Sequence, residues 1–380
     1  MTTIVMTACA GQEVEMAEAA QDKFNYVVDQ FADLQILRYQ VPGFESLSLK
    51  QKQLLYHLSE AALMGRDILF DQNCRYNLPV RRTLEAIYKG YKGDRKDPQF
   101  IALETYLKRV WFANGIHHHY AEDKFVPGFT PEFFRSCVEQ VEVSELPLAE
   151  GQTVGQFVAG ISPVIFDPEV MPKRSVQSGD ADLILASANN YYGEGVTQKE
   201  VEDFYAEMKV GKDTVSPISY GLNSRLVKEN GKLFEKVWKV GGLYSSAIEK
   251  IVAELDKAVS FAENEAQKAI IEKLIEYYRT GDLKTFDAYS VMWVEDTASD
   301  VDFVNGFIET YGDPLGMKAS WESTVNFINK EATKRTKVIS DNAQWFEDHS
   351  PVDKRFKKEK VKGVSAKVIT VSMLGGDCYP

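Results

Sequence analysis

Three adjacent histidines, His117, His118 and His119 in "WFANGIHHHYAEDKF", are the first residues whose types invite chemistry, in a chain that holds only five histidines. Imidazoles ligate metals, but successive helical residues stand about 100° apart and successive strand residues alternate faces, so neighbours do not converge on one ion. Zinc sites space two histidines as H-x-x-x-H on a helix and draw a further ligand from elsewhere. Neither His57 nor His349 has a partner at that spacing. The stretch therefore reads as a histidine-rich loop that lines a cleft or caps the helix before it. A second candidate is "GFIETYGDP", where Phe307, Glu309 and Tyr311 alternate with Ile308 and Thr310. On a strand the first three share a face. A carboxylate beside a phenol holds an ammonium ion by charge-assisted hydrogen bonds. Pattern alone favours the plainer reading, a strand edge with one exposed acid.

Other signatures are absent from the sequence: no H-E-x-x-H, no G-x-S-x-G, no Walker A loop and no G-x-G-x-x-G. The glycine pairs in "YYGEG" and "VGGLY" read as turns. The acidic run Glu295, Asp296, Asp300 and Asp302 lacks the glycine and ligand spacing of a calcium loop and reads as a solvated turn. The cysteines, Cys9, Cys74, Cys137 and Cys378, never form a C-x-x-C pair, which excludes a zinc ribbon and a disulfide-dense scaffold. A formal net charge of -12 repels phosphate backbones, so nucleic acid is not an expected partner. The same field favours cationic ligands, a free peptide amino terminus among them. Cys9 in "IVMTACAGQ" follows a short apolar run in the manner of a lipoprotein cleavage site. A signal peptide needs an apolar core of roughly 7–15 residues. Two readings stay open, a clipped signal that tethers the protein to a membrane through lipid on Cys9, or a terminus without meaning. Localisation stays open with them, cytoplasmic or cell envelope.

The elements that must position these residues belong to a chain of 380 residues, 44% hydrophobic, long enough for a large core. Helical apolar spacing runs from Val14 to Leu37 and recurs over 48–70, 80–91 and 98–112. Pro127, Gly128 and Pro131 interrupt the chain, a short helix follows, and helices are expected at 197–208, 243–262 and 264–279. Asn230-Gly231 between two apolar runs predicts a β-hairpin, because both turn residues tolerate positive φ. "SVMWVED" and "VDFVNGFIETYGDP" read as strands, 318–346 as a long amphipathic helix with Trp321, Val325 and Ile328 on one stripe, and "VKGVSAKVITVSML" as a final strand.

Five stretches together resemble the dipeptidyl peptidase III family in its bacterial form: "NGIHHHYAEDKFVPGF", "YYGEGVTQKEVEDFY", "SPISYGLNSRLVKENGKLFEKVWKVGG", "VDFVNGFIETYGDPLGMKASWES" and "NAQWFEDHSPVDKRFKKEKVKGVSAKVIT". They run in family order and cover the chain from about residue 20 to Pro380. The resemblance implies a zinc exopeptidase that removes dipeptides from the free amino end of oligopeptides. It implies an α+β, helix-rich fold of two lobes, with a lower lobe built on a five-stranded β-barrel and a helical upper lobe that holds zinc. By it, 1–20 is a clipped signal or tether, 20–323 the lower, substrate-binding lobe, 324–360 a helical excursion into the upper lobe, and 361–380 a strand returning to the barrel, partly incomplete. Glu309 and Tyr311 fall on the residues that bind the substrate's amino terminus, and Trp293 on a cleft tryptophan. Anchoring the charged amine sets which peptide bond reaches the metal. Gly375-Gly376 falls on the approach to a strand that pairs with the substrate backbone. The family's zinc ligands, in H-E-x-x-x-H and a later E-E-x-x-x-D, are absent from these 380 residues. No peptide hydrolysis is expected of the chain alone. It reads as an incomplete peptidase; the rival reading is a non-catalytic, lipid-tethered peptide-binding protein.

Overall fold

A computed structural model describes residues 24–361 and 367–376. Cys9, Cys378 and the expected tether over 1–20 lie outside these. The chain divides into two compact units, Met1–Gln40 and Val41–Pro380.

In the first unit, β1 (Val27–Phe31) and β2 (Leu34–Leu37) form an antiparallel hairpin. The helix expected over 14–37 is not formed across its described part. Phe31 stands opposite Leu34 and Val27 opposite Leu37 across a turn in which Ala32 takes φ 50°. The β-branched pair Val27-Val28 favours an extended chain, and a short apolar run carries too little periodicity to decide between helix and strand.

The second unit opens with four helices: α1 (Leu49–Met64), α2 (Arg66–Asn73), α3 (Asn77–Gly90) and α4 (Pro98–Phe112). Their starts are written locally. Ser48 caps α1 in a capping box with Gln51, and Asp97 caps α4 with Pro98 at its first position. After the histidine stretch come α5 (Pro131–Val138) and α6 (Val154–Phe166). The sequence reading missed α6 because Gly155, Gly160 and Pro163 weaken its helical signal, although Thr153 and Gln156 form a full capping box. Helix α7 (Gln198–Lys209) leads to the hairpin β3 (Ser224–Glu229) and β4 (Lys232–Val237). The hairpin turns at Asn230-Gly231 as expected, with φ 51° and 75°.

Then follow α8 (Ser245–Val259), α9 (Glu265–Thr280) and α10 (Leu283–Glu295). "SVMWVED" is thus the end of a helix and not a strand. Asp282 caps α10, and Leu283, Phe286 and Tyr289 repeat at helical spacing into the segment, so the helix propagates through it. Strand β5 (Val301–Glu309) and strand β6 (Ser320–Ile328) pair antiparallel, followed by α11 (Lys330–Asp341), α12 (Ala343–His349) and β7 (Ile369–Gly376), which pairs with the other edge of β6. The single helix expected over 318–346 is therefore a strand and two helices. Trp321, Ser323, Val325 and Phe327 are all buried, a period of two that the helical stripe of Trp321, Val325 and Ile328 concealed. Asn329 caps α11, so the helical stretch begins there, and residue 324 lies inside β6.

Two apolar clusters fill this unit. One joins α1, α7, α8, α9, β5 and β6 around Leu58, Leu255, Leu274 and Trp321; the other joins α3 to α6 around Leu84, Leu107, Phe134 and Ile161. The result is a mixed helix and sheet fold with the three-stranded order β5-β6-β7 and two separate hairpins. Among the described residues no closed barrel is formed, and no helix is long and apolar enough to cross a membrane.

Candidate functional site

Strand β5 alternates as its sequence suggests, with Val301, Phe303, Asn305 and Phe307 all buried. The alternation breaks at its end. Phe307 pairs with Trp321 but Glu309 pairs with Ser320, leaving Ile308 without a counterpart on β6. This β-bulge reverses the faces of the residues beyond it. Phe307 stays in the core while Glu309 is exposed and Tyr311, in the turn past the strand, is 51% exposed. The expectation that Phe307, Glu309 and Tyr311 share one face is corrected; the bulge separates the acid and the phenol from the phenylalanine. The Ser320 hydroxyl donates to the Glu309 carbonyl at 3.0 Å and holds the bulged end in place.

The loop that carries Tyr311 back to β6 closes on Asp313. One oxygen of this buried carboxylate accepts from the Met317 N–H (2.7 Å), the Lys318 N–H (2.9 Å) and the Tyr192 hydroxyl (2.9 Å). Burial pushes the Asp313 carboxyl above its ordinary range, opposed by these donated hydrogen bonds. The Tyr311 carbonyl accepts from Gln177 Nε2, and Asn189 Nδ2 donates to the Gly312 carbonyl at 3.0 Å. Lys318 is wholly buried; its ammonium donates to the Tyr205 hydroxyl, to the Gly221 carbonyl at 3.1 Å and to Ser224 Oγ at 3.2 Å. Tyr205 and Ser224 both donate to Glu235, at 2.7 and 2.6 Å. Loss of hydration lowers the Lys318 ammonium to about 8, against the pull of the Glu235 and Asp313 carboxylates.

The histidine stretch folds as a tight hairpin. The His118 N–H donates to the Asp123 carbonyl (2.7 Å) and the Phe125 N–H to the Ile116 carbonyl (2.9 Å), with Glu122 at φ 64°. Each imidazole has its own surroundings. His117 Nε2 lies 2.9 Å from the Met171 carbonyl, His118 Nδ1 accepts from the Tyr120 and Ala121 N–H groups, and His119 stacks on His118 at 4.5 Å. Among the described residues no three His, Cys, Asp or Glu side chains group as a metal site. The stretch touches the sheet at the end where Glu309 lies. Asn114 Nδ2 donates to the Gly376 carbonyl at 3.4 Å, and Gly376 pairs with Glu322, two residues along β6 from the Ser320 that faces Glu309.

Trp293 is placed elsewhere. Its indole N–H donates to Asp302 at 2.8 Å, and Asp302 lies seven residues before Glu309 on β5. At ~3.3 Å per residue this is roughly 23 Å along the strand. Glu309 and Tyr311 both lie exposed at the end of β5, and Trp293 lies near its start. The sequence reading missed Tyr192, Asp313 and Lys318. "GDPLG" signals a turn, yet neither the burial of its aspartate nor that of the lysine beyond it leaves a mark in the local sequence.

The sequence model of peptidase family M49 matches residues 215–371. Dipeptidyl peptidase 3 of Dictyostelium discoideum is 23% identical over 363 residues, 88% of this chain and 50% of its own length. The human enzyme of that name is 29% identical over 365 residues, 84% of this chain and 47% of its own. The structure of DPP III from Caldithrix abyssi superposes with a TM-score of 0.60 at 17% identity, covering 89% of this chain and 51% of that one. This chain spans about half the length of the curated relatives it matches. The fold agrees with the solved relative, and the sequence is similar to the curated ones over 84–88% of the chain; the family model, the curated relatives and the solved relative together support the dipeptidyl peptidase III family, peptidase family M49, for this chain.

Proposed function

We propose that the chain supplies the peptide-binding lobe of a zinc-dependent dipeptidyl peptidase, which releases dipeptides from the free amino end of oligopeptides. Glu309 and Tyr311 anchor the peptide's ammonium group. The observation that carries this reading is the bulge at Ile308, which turns a carboxylate out of the core two residues before an exposed tyrosine. An ammonium ion offers three donors, and a carboxylate with a phenolic oxygen accepts two of them. The net charge of -12 favours the same cation. β7 presents its outer edge to a peptide strand at Gly375-Gly376, and Trp293 forms a more distant part of the cleft wall. Strands β3 to β7 are read as part of the family's five-stranded barrel, which is incomplete in this chain. A hydrogen bond of 2.9 Å from the Ala319 N–H to the Leu222 carbonyl, between the hairpin and the start of β6, supports this.

The residues present do not fit a zinc site, because the three imidazoles are engaged separately and H-E-x-x-x-H is absent from the sequence. No hydrolytic step is derived from them. The chain is expected to bind peptides without cleaving them. Calorimetric titration with a tetrapeptide and its N-acetylated form tests the reading. The free-amino peptide should bind more tightly, and Glu309→Gln should remove about tenfold of that preference, as for loss of one charged partner. Equal binding of the two peptides by the unaltered chain, or an unchanged preference in Glu309→Gln, removes Glu309 from the role. Stoichiometric zinc in the purified chain would reopen the histidine cluster.

A further inference from the structure

Tyr311 carries half of the amine anchor, with its ring half exposed, so the position of its phenol depends on how the loop backbone is held. An ammonium ion is recognised over hydrogen-bond distances, so a displacement of about 1 Å in the phenol loses the contact. The loop that presents Tyr311 is instead held from behind by one segment, 172–192. Gln177 takes the Tyr311 carbonyl, Asn189 the Gly312 carbonyl, and Tyr192 the Asp313 carboxylate. That segment is itself tied to the histidine hairpin. The Asn189 N–H donates to the Arg174 carbonyl (3.0 Å) and the Arg174 N–H to the Glu122 carbonyl (2.9 Å). The guanidinium of Arg174, 4% exposed, pairs in two places with the Glu122 carboxylate at 2.7 and 2.6 Å.

Asp313 is the unusual member. It is 1% exposed, no ion pair within 4 Å is made with it among the described residues, and the three hydrogen bonds to its carboxylate all fall on one oxygen while Oδ1 has no hydrogen-bond partner. Burying a carboxylate so is unfavourable, and a neutral side chain could close a simple turn. What the carboxylate adds is a charge-assisted bond to the Tyr192 hydroxyl, a tie between the loop and the segment behind it that a neutral acceptor makes more weakly.

We propose that Tyr192 is a positioning residue for the amine anchor. Through Asp313 it fixes the loop that presents Tyr311, with the 172–192 segment and the Arg174–Glu122 pair as the brace. The inference rests on the reading of Glu309 and Tyr311 as that anchor. The test is Tyr192→Phe in the whole chain, which keeps the buried ring and removes only the hydroxyl. Titrated with the tetrapeptide and its N-acetylated form, the variant should lose several-fold in affinity for the free-amino peptide and little for the acetylated one. Asn189→Ala, at a half-buried site, should shift the same ratio in the same direction. Hydrogen exchange should rise at 310–318 and stay slow in β5 and β6. An unchanged ratio, an equal loss for both peptides, or unaltered exchange at 310–318 overturns the brace. Failure of the unaltered chain to prefer the free amine is a different result; it sinks the anchor itself, and the brace falls with it.

Discussion

At the scale of single residues, burial decides which groups stay neutral. His117 is 2% exposed, and loss of hydration, opposed by the hydrogen bond to the Met171 carbonyl and aided by the Arg174 and Lys124 charges, lowers its imidazolium to about 4. Its value falls below that of the unfolded chain, where histidine titrates near ~6.5. Between these limits the unfolded state binds the proton and the folded state does not, so acid favours unfolding. Stability from this residue is complete above pH ~6.5 and is lost as pH falls to about 4, by roughly 3 kcal/mol if fully expressed. Denaturant midpoints measured from pH 7 to 4 should show this loss, and His117→Gln should flatten it. An identical slope in the variant would assign the acid sensitivity to other groups. Lys318 follows the same physics on the alkaline side. Tyr205, Ser224 and Gly221 supply partners to an ammonium that burial disfavours, which is why it can sit at the base of the Tyr311 loop.

At the scale of elements, the site depends on how strands end. Gly376 closes β7 at φ 72°, and a Cβ there would stand 2.2 Å from the Trp321 carbonyl oxygen. Gly231 turns the β3–β4 hairpin at φ 75° with open space around it. Alanine at Gly231 pays only for left-handed backbone, about 1–2 kcal/mol. Alanine at Gly376 adds a backbone collision, so its loss should exceed that of Gly231→Ala by 1 kcal/mol or more. Urea unfolding of the two variants compares them directly, and equal losses would mean that β7 does not pack against Trp321 as described. The bulge at Ile308 belongs to the same scale. It is one inserted residue, and it decides whether Glu309 faces the core or the solvent.

At the scale of the whole molecule, the second unit is organised around two apolar clusters with different members. Leu255 belongs to the first and Leu107 to the second, both with no exposed surface. Replacing either by alanine should cost about 2–5 kcal/mol, the sum of lost transfer energy and the cavity left behind. Because the two share no cluster, the double variant should equal the sum of the single ones within about 0.5 kcal/mol. A larger deviation in guanidinium unfolding would show that the clusters repack as one. Gln72 is one polar link between helices and sheet, buried, donating to the Ala319 carbonyl at 3.0 Å and accepting from the Trp321 N–H at 2.9 Å.

The sequence alone determined what local rules can carry. Capped helices with a 3.6-residue repeat, the Asn230-Gly231 hairpin, and the family stretches with Glu309 and Tyr311 among them were legible, because each is written within a few residues. Only the tertiary structure decided what depends on partners distant in sequence. β6 is a strand because β5 and β7 flank it on both sides, although its stripe also suits a helix. Glu309 leaves the core through a register slip that exists only against β6. Asp313, Tyr192 and Lys318 acquire their roles from burial between segments more than a hundred residues apart, which no local spacing encodes.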